Sequence, residues 1–495
     1  SFHFGNMSYT HYLERGWELR IYLGELTESG MQLVHMNQPV PFEVQVKCQG
    51  CDVYNQQNHI QVRAMERESF DVELTLVNKQ TKEVIGTTWF DSHEFVDNGV
   101  LVHPIMNGST KVGRVDAMYI IYDAFPHGNN TPIQIDLVNK IIAHRGFGAT
   151  NRNIIKNTAV IENTLEAFTT GSRMGTDFIE FDVQVTMDGV PVVCHDLWLQ
   201  LKTTDFLGHP QLIRVPINKL TYEQLKKLRP VVLDREYYQE FLKRNSSTVR
   251  QQLASPRCVD DTDIKHAQYQ DEVEEALIQN ISENATSSVY EFESFSEDGS
   301  IKKDGQRRGL SDFQTTFPTF AEVLDRVPEH VCFDIEIKYV NSPQEGKVMG
   351  YMERNEYVNR ILTVFFKHVG NRKVFFSTFD ADVALLIHHK QSRYPVLLLT
   401  TAMKDPYVTD TRRHSLANAV KFAKRHHFAG VVSNAPGVLA EPQLIDEVHE
   451  AGMVMITYGD ENDNIELARK QYSIGVDSIC TNRIVNIGKV ITGKN

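Results

Sequence analysis

Asp177-Phe178-Ile179-Glu180-Phe181-Asp182-Val183-Gln184-Val185 reads as a strand in which two carboxylates alternate with large hydrophobes. Side chains alternate faces along a strand, so Glu180 and Asp182 point one way while Ile179, Phe181 and Val183 point the other. Cys332-Phe333-Asp334-Ile335-Glu336-Ile337-Lys338 repeats the pattern and puts Asp334, Glu336 and Lys338 on one face. Both stretches belong to a series of apolar strands at 140–144, 177–185, 331–338, 373–378, 395–400, 428–433, 453–458 and 476–481. Amphipathic helical stretches at 164–174, 380–389, 412–425, 442–451 and 462–470 fall between them, and one further short strand is expected at 190–194. That rhythm is the mark of parallel βα units, and eight of them in this length favour a closed TIM (β/α)8 barrel over an open sheet.

Working outward, residues 1–138 have a different period. The stretches 18–23, 42–46, 60–63, 70–76 and 83–87 largely alternate polar with apolar and are joined by Asn, Gly and Asp turns. They predict a smaller all-β, sandwich-like domain ahead of an α/β barrel at 139–492. No catalytic cluster is visible in the first domain, and its partner is not identifiable from sequence. Cys48-Gln49-Gly50-Cys51 has the spacing of half a zinc site but lacks a second Cys/His pair. Between 229 and 311 the chain turns polar and acidic, which predicts an inserted, partly disordered spacer in a βα connection; a lid or a phosphorylated segment is the alternative.

The 64 acidic residues against 51 basic ones give a formal charge of -13, which argues against nonspecific binding to nucleic acid or anionic lipid. No apolar run is long enough for a transmembrane segment, and Ser1-Phe2-His3-Phe4 lacks the basic-then-apolar order of a signal peptide. Cys194, Cys332 and Cys480 sit in apolar strand-like runs where reduced, buried thiols are expected, favouring a cytoplasmic location. On that compartment argument the sequons at Asn280-Ile281-Ser282 and Asn284-Ala285-Thr286 are read as unglycosylated.

Charges on the inward face of a barrel strand need a partner, because interiors are normally packed with branched apolar residues and unpaired buried charge is costly. An all-oxygen set from Glu180, Asp182 and Glu336 suits a hard divalent cation, Mg2+ or Ca2+, rather than zinc. Asp334 lies deeper and is read as a structural partner of Lys338 or a neighbour. His144-Arg145-Gly146 ends the first strand and His195-Asp196 follows the strand after the carboxylate pair, so two imidazoles flank the acidic cluster. One can take a proton from a nucleophile while the other gives one to a leaving oxygen. Arg145 offers a forked donor for phosphate oxygens, Lys338 a point charge, and Gly146 a close backbone approach. In Glu162-Asn163-Thr164, Asn163 or Thr164 can cap the following helix, and Glu162 can complement its dipole or reach the metal.

In order, His144-Arg145-Gly146, Glu162-Asn163-Thr164, Glu180-x-Asp182, Asp188-Gly189, His195-Asp196, Thr203-Thr204-Asp205, Glu336-x-Lys338 and Gly475-Val476-Asp477-x-Ile479-x-Thr481-Asn482 resemble the glycerophosphodiester phosphodiesterases. The resemblance spans about 139–492. It implies a TIM barrel and metal-dependent hydrolysis of a small-molecule glycerophosphodiester substrate to sn-glycerol 3-phosphate and an alcohol. It also implies His144 and His195 as the acid/base pair, Arg145 and Lys338 as phosphate-binding residues, Glu180, Asp182 and Glu336 as metal ligands, and Glu162 as an additional acidic residue. The β-rich segment, barrel and acidic insertion are most similar to animal cytosolic members that act on glycerophosphocholine, in which a starch-binding-type module precedes the region seen here. Two departures, a longer spacer from Gly146 to Glu162 and Ile161 where Pro is common, bear on the first loop. A lysophospholipase D-type enzyme and a scaffold with a vestigial site are the competing readings. A choline headgroup would need an aromatic or acidic wall, for which Trp198, Tyr339 and Tyr458 are candidates.

Overall fold

The computed structural model describes residues 16–22, 34–36, 41–49, 52–55, 60–64, 70–95, 99–127, 131–148, 160–204, 207, 209–231, 289–292, 317–340, 350–402 and 410–492. The first strands are β1 (Trp17–Tyr22), β2 (Val34–Met36), β3 (Phe42–Gln49), β4 (Asp52–Asn55), β5 (Ile60–Ala64), β6 (Asp71–Asn78), β7 (Val84–Asp91), β8 (Gly99–Asn107) and β9 (Thr110–Asp123). They form an antiparallel sheet in the order β3-β6-β7-β8-β9-β1-β5-β4, with β2 also on β9. The sheet is folded onto one core: Trp17 of β1 stacks on Phe70, just before β6, at 5.0 Å although their strands are not neighbours.

Alternation in the sequence finds β1, β3, β5, β6 and β7 but not β2, β4, β8 or β9. In β9 the reason is burial on both faces. Val115, Ala117, Tyr119 and Ile121 pack into the sheet's own core, whereas Met118, Ile120 and Tyr122 join the core of the following barrel. Two apolar faces erase the period-2 signal.

The barrel chain continues through β10 (Lys140–Ala143), α1 (Leu165–Arg173), β11 (Phe178–Val185) and β12 (Pro191–Val193). An excursion follows: β13 (Trp198–Thr204), β14 (Pro210–Pro216), α2 (Tyr222–Leu225), β15 (Leu228–Val231) and β16 (Val289–Phe292). Then come α3 (Phe320–Arg326), β17 (Cys332–Ile337), α4 (Arg354–His368), β18 (Val374–Thr378), α5 (Ala381–Lys390), β19 (Val396–Thr400) and α6 (Leu416–Arg425). The remainder is β20 (Gly430–Asn434), α7 (Ala435–Ala440), α8 (Gln443–Glu450), β21 (Val454–Tyr458), α9 (Ile465–Ser473), β22 (Ser478–Thr481) and α10 (Ile484–Thr492).

Strands β10, β11 and β17 to β22 are parallel, and β10 pairs with both β22 and β11, so the expected eight-stranded barrel closes. The short strand expected at 190–194 is present as β12 and lies antiparallel on β11. Strands β13 to β16 make a separate four-stranded sheet between β12 and α3. The acidic stretch 229–311 otherwise lies outside the described residues, as do both sequons.

Local chemistry sets the helix boundaries. The expected 412–425 helix begins at Leu416, because Ser415 caps it and Arg412 is drawn to Asp382 and Asp410 instead. The expected 462–470 helix divides into a 3-10 turn, Asp460–Asp463, and α9, whose N–H groups are capped by Asn464. Cys48 is disulfide-bonded, so it is not available as the metal ligand its Cys-x-x-Cys spacing allowed, whereas Cys194, Cys332 and Cys480 carry free thiols. Among the described residues no helix is long and apolar enough to cross a membrane.

Candidate active site

In β11, Ile179, Phe181 and Val183 belong to the core between barrel and helices, whereas Phe178 belongs to the core inside the barrel. Glu180 and Asp182 share the inward parity of Phe178. The parallel register sets Glu180 beside Asp334 and Asp182 beside Glu336, stacking four carboxylates in two layers on adjacent strands. Oxygens of Glu180, Asp182 and Glu336 lie within 4.8 Å of one another, a spacing that can hold a metal ion.

Asp334 forms the deeper layer and accepts a hydrogen bond from Ser377 Oγ at 2.7 Å. Burial, against that hydrogen bond, pushes its carboxyl well above the ordinary range. The sequence alone allows Lys338 or a neighbouring charge as its partner; the lysine Nζ lies 2.7 Å from Glu336 Oε1 and 3.3 Å from Asp182 Oδ1.

The two inward carboxylates of β11 are electrostatically unlike. Burial first, then the charges of Asp182, Glu336 and Asp334, push Glu180 well above the usual range. Burial also opposes ionisation of Asp182, but Lys338, His195, Arg145 and a hydrogen bond from Asn163 outweigh it and hold that carboxyl down. Asp182 Oδ1 is buried and receives no hydrogen bond. A buried anionic oxygen that accepts no hydrogen bond, with the Lys338 ammonium 3.3 Å away and two further carboxylates facing it, fits a hard cation.

The loop after β10 is bound to this cluster. Arg145 takes a left-handed φ of +49° and Gly146 one of +92°. An added Cβ on Gly146 would lie 2.7 Å from the Phe168 ring and 2.8 Å from the Ala167 carbonyl carbon, so both conformation and space demand glycine. The turn aims the Arg145 N–H at Glu180 Oε2 (2.7 Å) and its Nη1 at Glu162 Oε1 (2.7 Å). Glu162 thus partners the arginine. Thr164 caps α1, while Asn163, at φ +56°, donates from Nδ2 to Asp182 Oδ2 at 2.8 Å. The sequence left open which of the two residues caps; only the positive φ of Asn163 separates the roles.

His144 and His195 each use Nδ1 for a protein partner. His144 Nδ1 lies 2.8 Å from Asn482 Oδ1, and His195 Nδ1 lies 2.8 Å from Asp196 Oδ1. Sequence reading named the histidines but not Asn482 as a partner; its position after Thr481, at the end of the strand paired with β10, was the available signal.

The three aromatic candidates separate. Tyr339 spends its hydroxyl on Met352 O at 2.6 Å and its ring on the Arg354 guanidinium, 4.7 Å from the centroid. Trp198 is half-buried with Tyr339 and Tyr351. Tyr458 donates to Thr400 O and stands perpendicular to Phe379 at 6.0 Å, and the Lys338 ammonium lies 5.9 Å from the same Phe379 ring.

A family model described as the glycerophosphoryl diester phosphodiesterase family matches residues 144–486, which runs from the first histidine of this site past Asn482. The chain belongs to this family. It is 27% identical over 430 residues to a glycerophosphocholine phosphodiesterase of Eremothecium gossypii, an alignment covering 85% of this chain and 29% of that protein. To one of Candida albicans it is 31% identical over 358 residues, covering 70% and 28%. To that of Rattus norvegicus it is 27% identical over 403 residues, covering 78% and 51%. The chain therefore spans about half or less of these relatives.

Proposed function

We propose that the chain is a metal-dependent phosphodiesterase that hydrolyses glycerophosphodiesters, with glycerophosphocholine as the preferred substrate, to sn-glycerol 3-phosphate and choline. The observation that carries this reading is the carboxylate cluster of Glu180, Asp182 and Glu336 within 4.8 Å, joined to the two cations Arg145 and Lys338 by ion pairs. The membership of residues 144–486 in the glycerophosphoryl diester phosphodiesterase family supports it, and the similarity to glycerophosphocholine phosphodiesterases supports the choline headgroup.

Glu180, Asp182 and Glu336 would hold Mg2+ or Ca2+. When bound, the cation supplies positive charge to the diester oxygens. The protein's own groups then account for the rest. Arg145 and Lys338 neutralise charge that grows on the phosphoryl oxygens, one as a fork and one as a point charge. One histidine takes a proton from the nucleophile and the other gives one to the leaving alkoxide. Glu162 keeps the Arg145 guanidinium oriented through their 2.7 Å contact.

The test is a coupled assay for glycerol 3-phosphate released from glycerophosphocholine, run with Mg2+, with Ca2+ and with chelator. Product that depends on the metal supports the proposal; no product in any condition sinks it. Turnover of ethanolamine, serine and inositol glycerophosphodiesters in the same assay decides the headgroup.

A further inference from the structure

His144 is the last backbone pairing partner of β22: its N–H donates to Thr481 O at 3.1 Å, which fixes it beside Asn482. The loop then folds back over the same asparagine. Gly148, at φ +94°, lies so close that an added Cβ would sit 3.0 Å from Asn482 Cβ and 3.0 Å from its carbonyl oxygen. Asn482 is therefore clamped between strand and loop, 7% exposed, with its amide on the imidazole.

Asp463, from the short turn before α9, decides which way that amide faces. Its Oδ1 accepts from Thr481 Oγ1 at 2.8 Å and from the Asn482 backbone N–H at 2.9 Å. Its Oδ2 accepts from Asn482 Nδ2 at 3.2 Å. An ionised carboxylate can only accept, so the NH2 end of the amide must face Asp463. The carbonyl end then faces His144 Nδ1, 2.8 Å away, and a carbonyl can only accept. The turn that presents Asp463 is itself pinned. Buried Asn462 donates to Thr457 O and to Cys480 O, both at 2.8 Å, bolting the turn to the ends of β21 and β22.

We infer that Asp463 and Asn482 are positioning residues that fix the neutral His144 ring in the tautomer protonated at Nδ1, so that Nε2 carries the lone pair used in proton transfer. The last clause rests on the proposed phosphodiester chemistry; the tautomer does not. The chain Asp463 to Asn482 to His144 does for an imidazole what a carboxylate partner does elsewhere, but through a neutral amide. It fixes orientation without placing a negative charge against the ring.

The experiment is 15N NMR of selectively His-labelled full-length chain, with His144 assigned by its loss in H144Q, alongside kcat and KM for glycerophosphocholine with Mg2+. Wild type is expected to show His144 protonated at Nδ1 when neutral. D463N removes the acceptor that orients the amide at almost no change in shape. It is expected to populate the Nε2–H form and to lower kcat about 10- to 1000-fold with KM within about twofold. N482A should do the same, and the double variant should be no worse than the poorer single one. An Nε2–H tautomer in wild type, or an unchanged tautomer in both D463N and N482A, overturns the inference. The tautomer is readable even if wild type shows no turnover, so failure of the proposed reaction and failure of this inference give different results. Should N482A fold poorly by circular dichroism, D463N alone carries the decision.

Discussion

The ammonium of Lys338 lies 2.7 Å from Glu336 Oε1 and 3.3 Å from Asp182 Oδ1, so one side chain bridges two carboxylates on neighbouring barrel strands. Replacing it leaves the acidic cluster with its mutual repulsion less compensated. K338M is expected to lower kcat about 100-fold or more, by loss of charge stabilisation on the phosphoryl oxygens. It should also lower the melting temperature in chelator, and Mg2+ should recover more of that loss than it adds to wild type. Paired melts with and without metal check both.

Metal binding should be measurable without turnover. A cation that binds the folded chain only, at a hundred times its Kd, adds about 2.7 kcal/mol of stability. In D182N, which removes the carboxylate held most strongly in its ionised form, that increment should nearly vanish. Titration of Mg2+ and Ca2+ against the melting temperature reads it directly. An undiminished increment in D182N would place the metal elsewhere.

Among the acid/base candidates, His195 is the one with a carboxylate partner on Nδ1. H195A is expected to lose about 100- to 10,000-fold in kcat, with the fold and the metal-induced rise in melting temperature retained. D196N should fall between wild type and H195A. Full activity in H195A would remove this histidine from the mechanism.

Stability toward acid should depend on Glu18, in the first strand of the antiparallel sheet. It is fully buried in β1 and accepts from Arg20, from Arg63 at 2.6 Å and from Tyr122 at 2.5 Å. Burial raises its pKa, but Arg20, Tyr122 and Arg63 together hold it below the ordinary glutamate value. A depressed carboxylate pKa contributes stability at pH above the unfolded value of about 4.3, and that contribution is lost as pH falls through the folded value. E18Q should therefore cost about 3–5 kcal/mol at neutral pH, and less at pH 3 to 4. Chemical denaturation across that range tests the slope.

Arg372 is a purely structural counterpart. Its guanidinium donates to the carbonyls of Leu324, Val327, Pro328 and Val331 and stacks 4.2 Å from the Phe333 ring centroid, closing the end of α3 onto the start of β17. R372M would take a donor from four carbonyls, of which Pro328 O keeps the Val331 N–H at 3.0 Å, and should destabilise by about 3 kcal/mol with little change in KM.

The barrel was legible because its short strand runs and its amphipathic helical stretches follow two periods that differ along the chain. The inward direction of Glu180, Asp182 and Glu336 was legible for the same reason, since strand parity needs no coordinates. Asn482 and Asp463 were not, because their importance lies in which atom faces which neighbour, and residue spacing carries no such information. β9 was hidden for the opposite reason: Ala117 to Tyr122 is apolar throughout, and an unbroken run has no phase to read.

That doubly buried β9 has a practical consequence for anyone cutting the gene. Ile121 O accepts from Asn355 Nδ2 and Asp123 O from Lys390 Nζ, while Tyr122 lies flat against His389. A fragment beginning at Lys140 would carry every candidate catalytic side chain yet present α4 and α5 with a raw, sticky scar where Met118, Ile120 and Tyr122 had been. Expression of such a fragment should yield aggregate, and the intact chain should melt in one step.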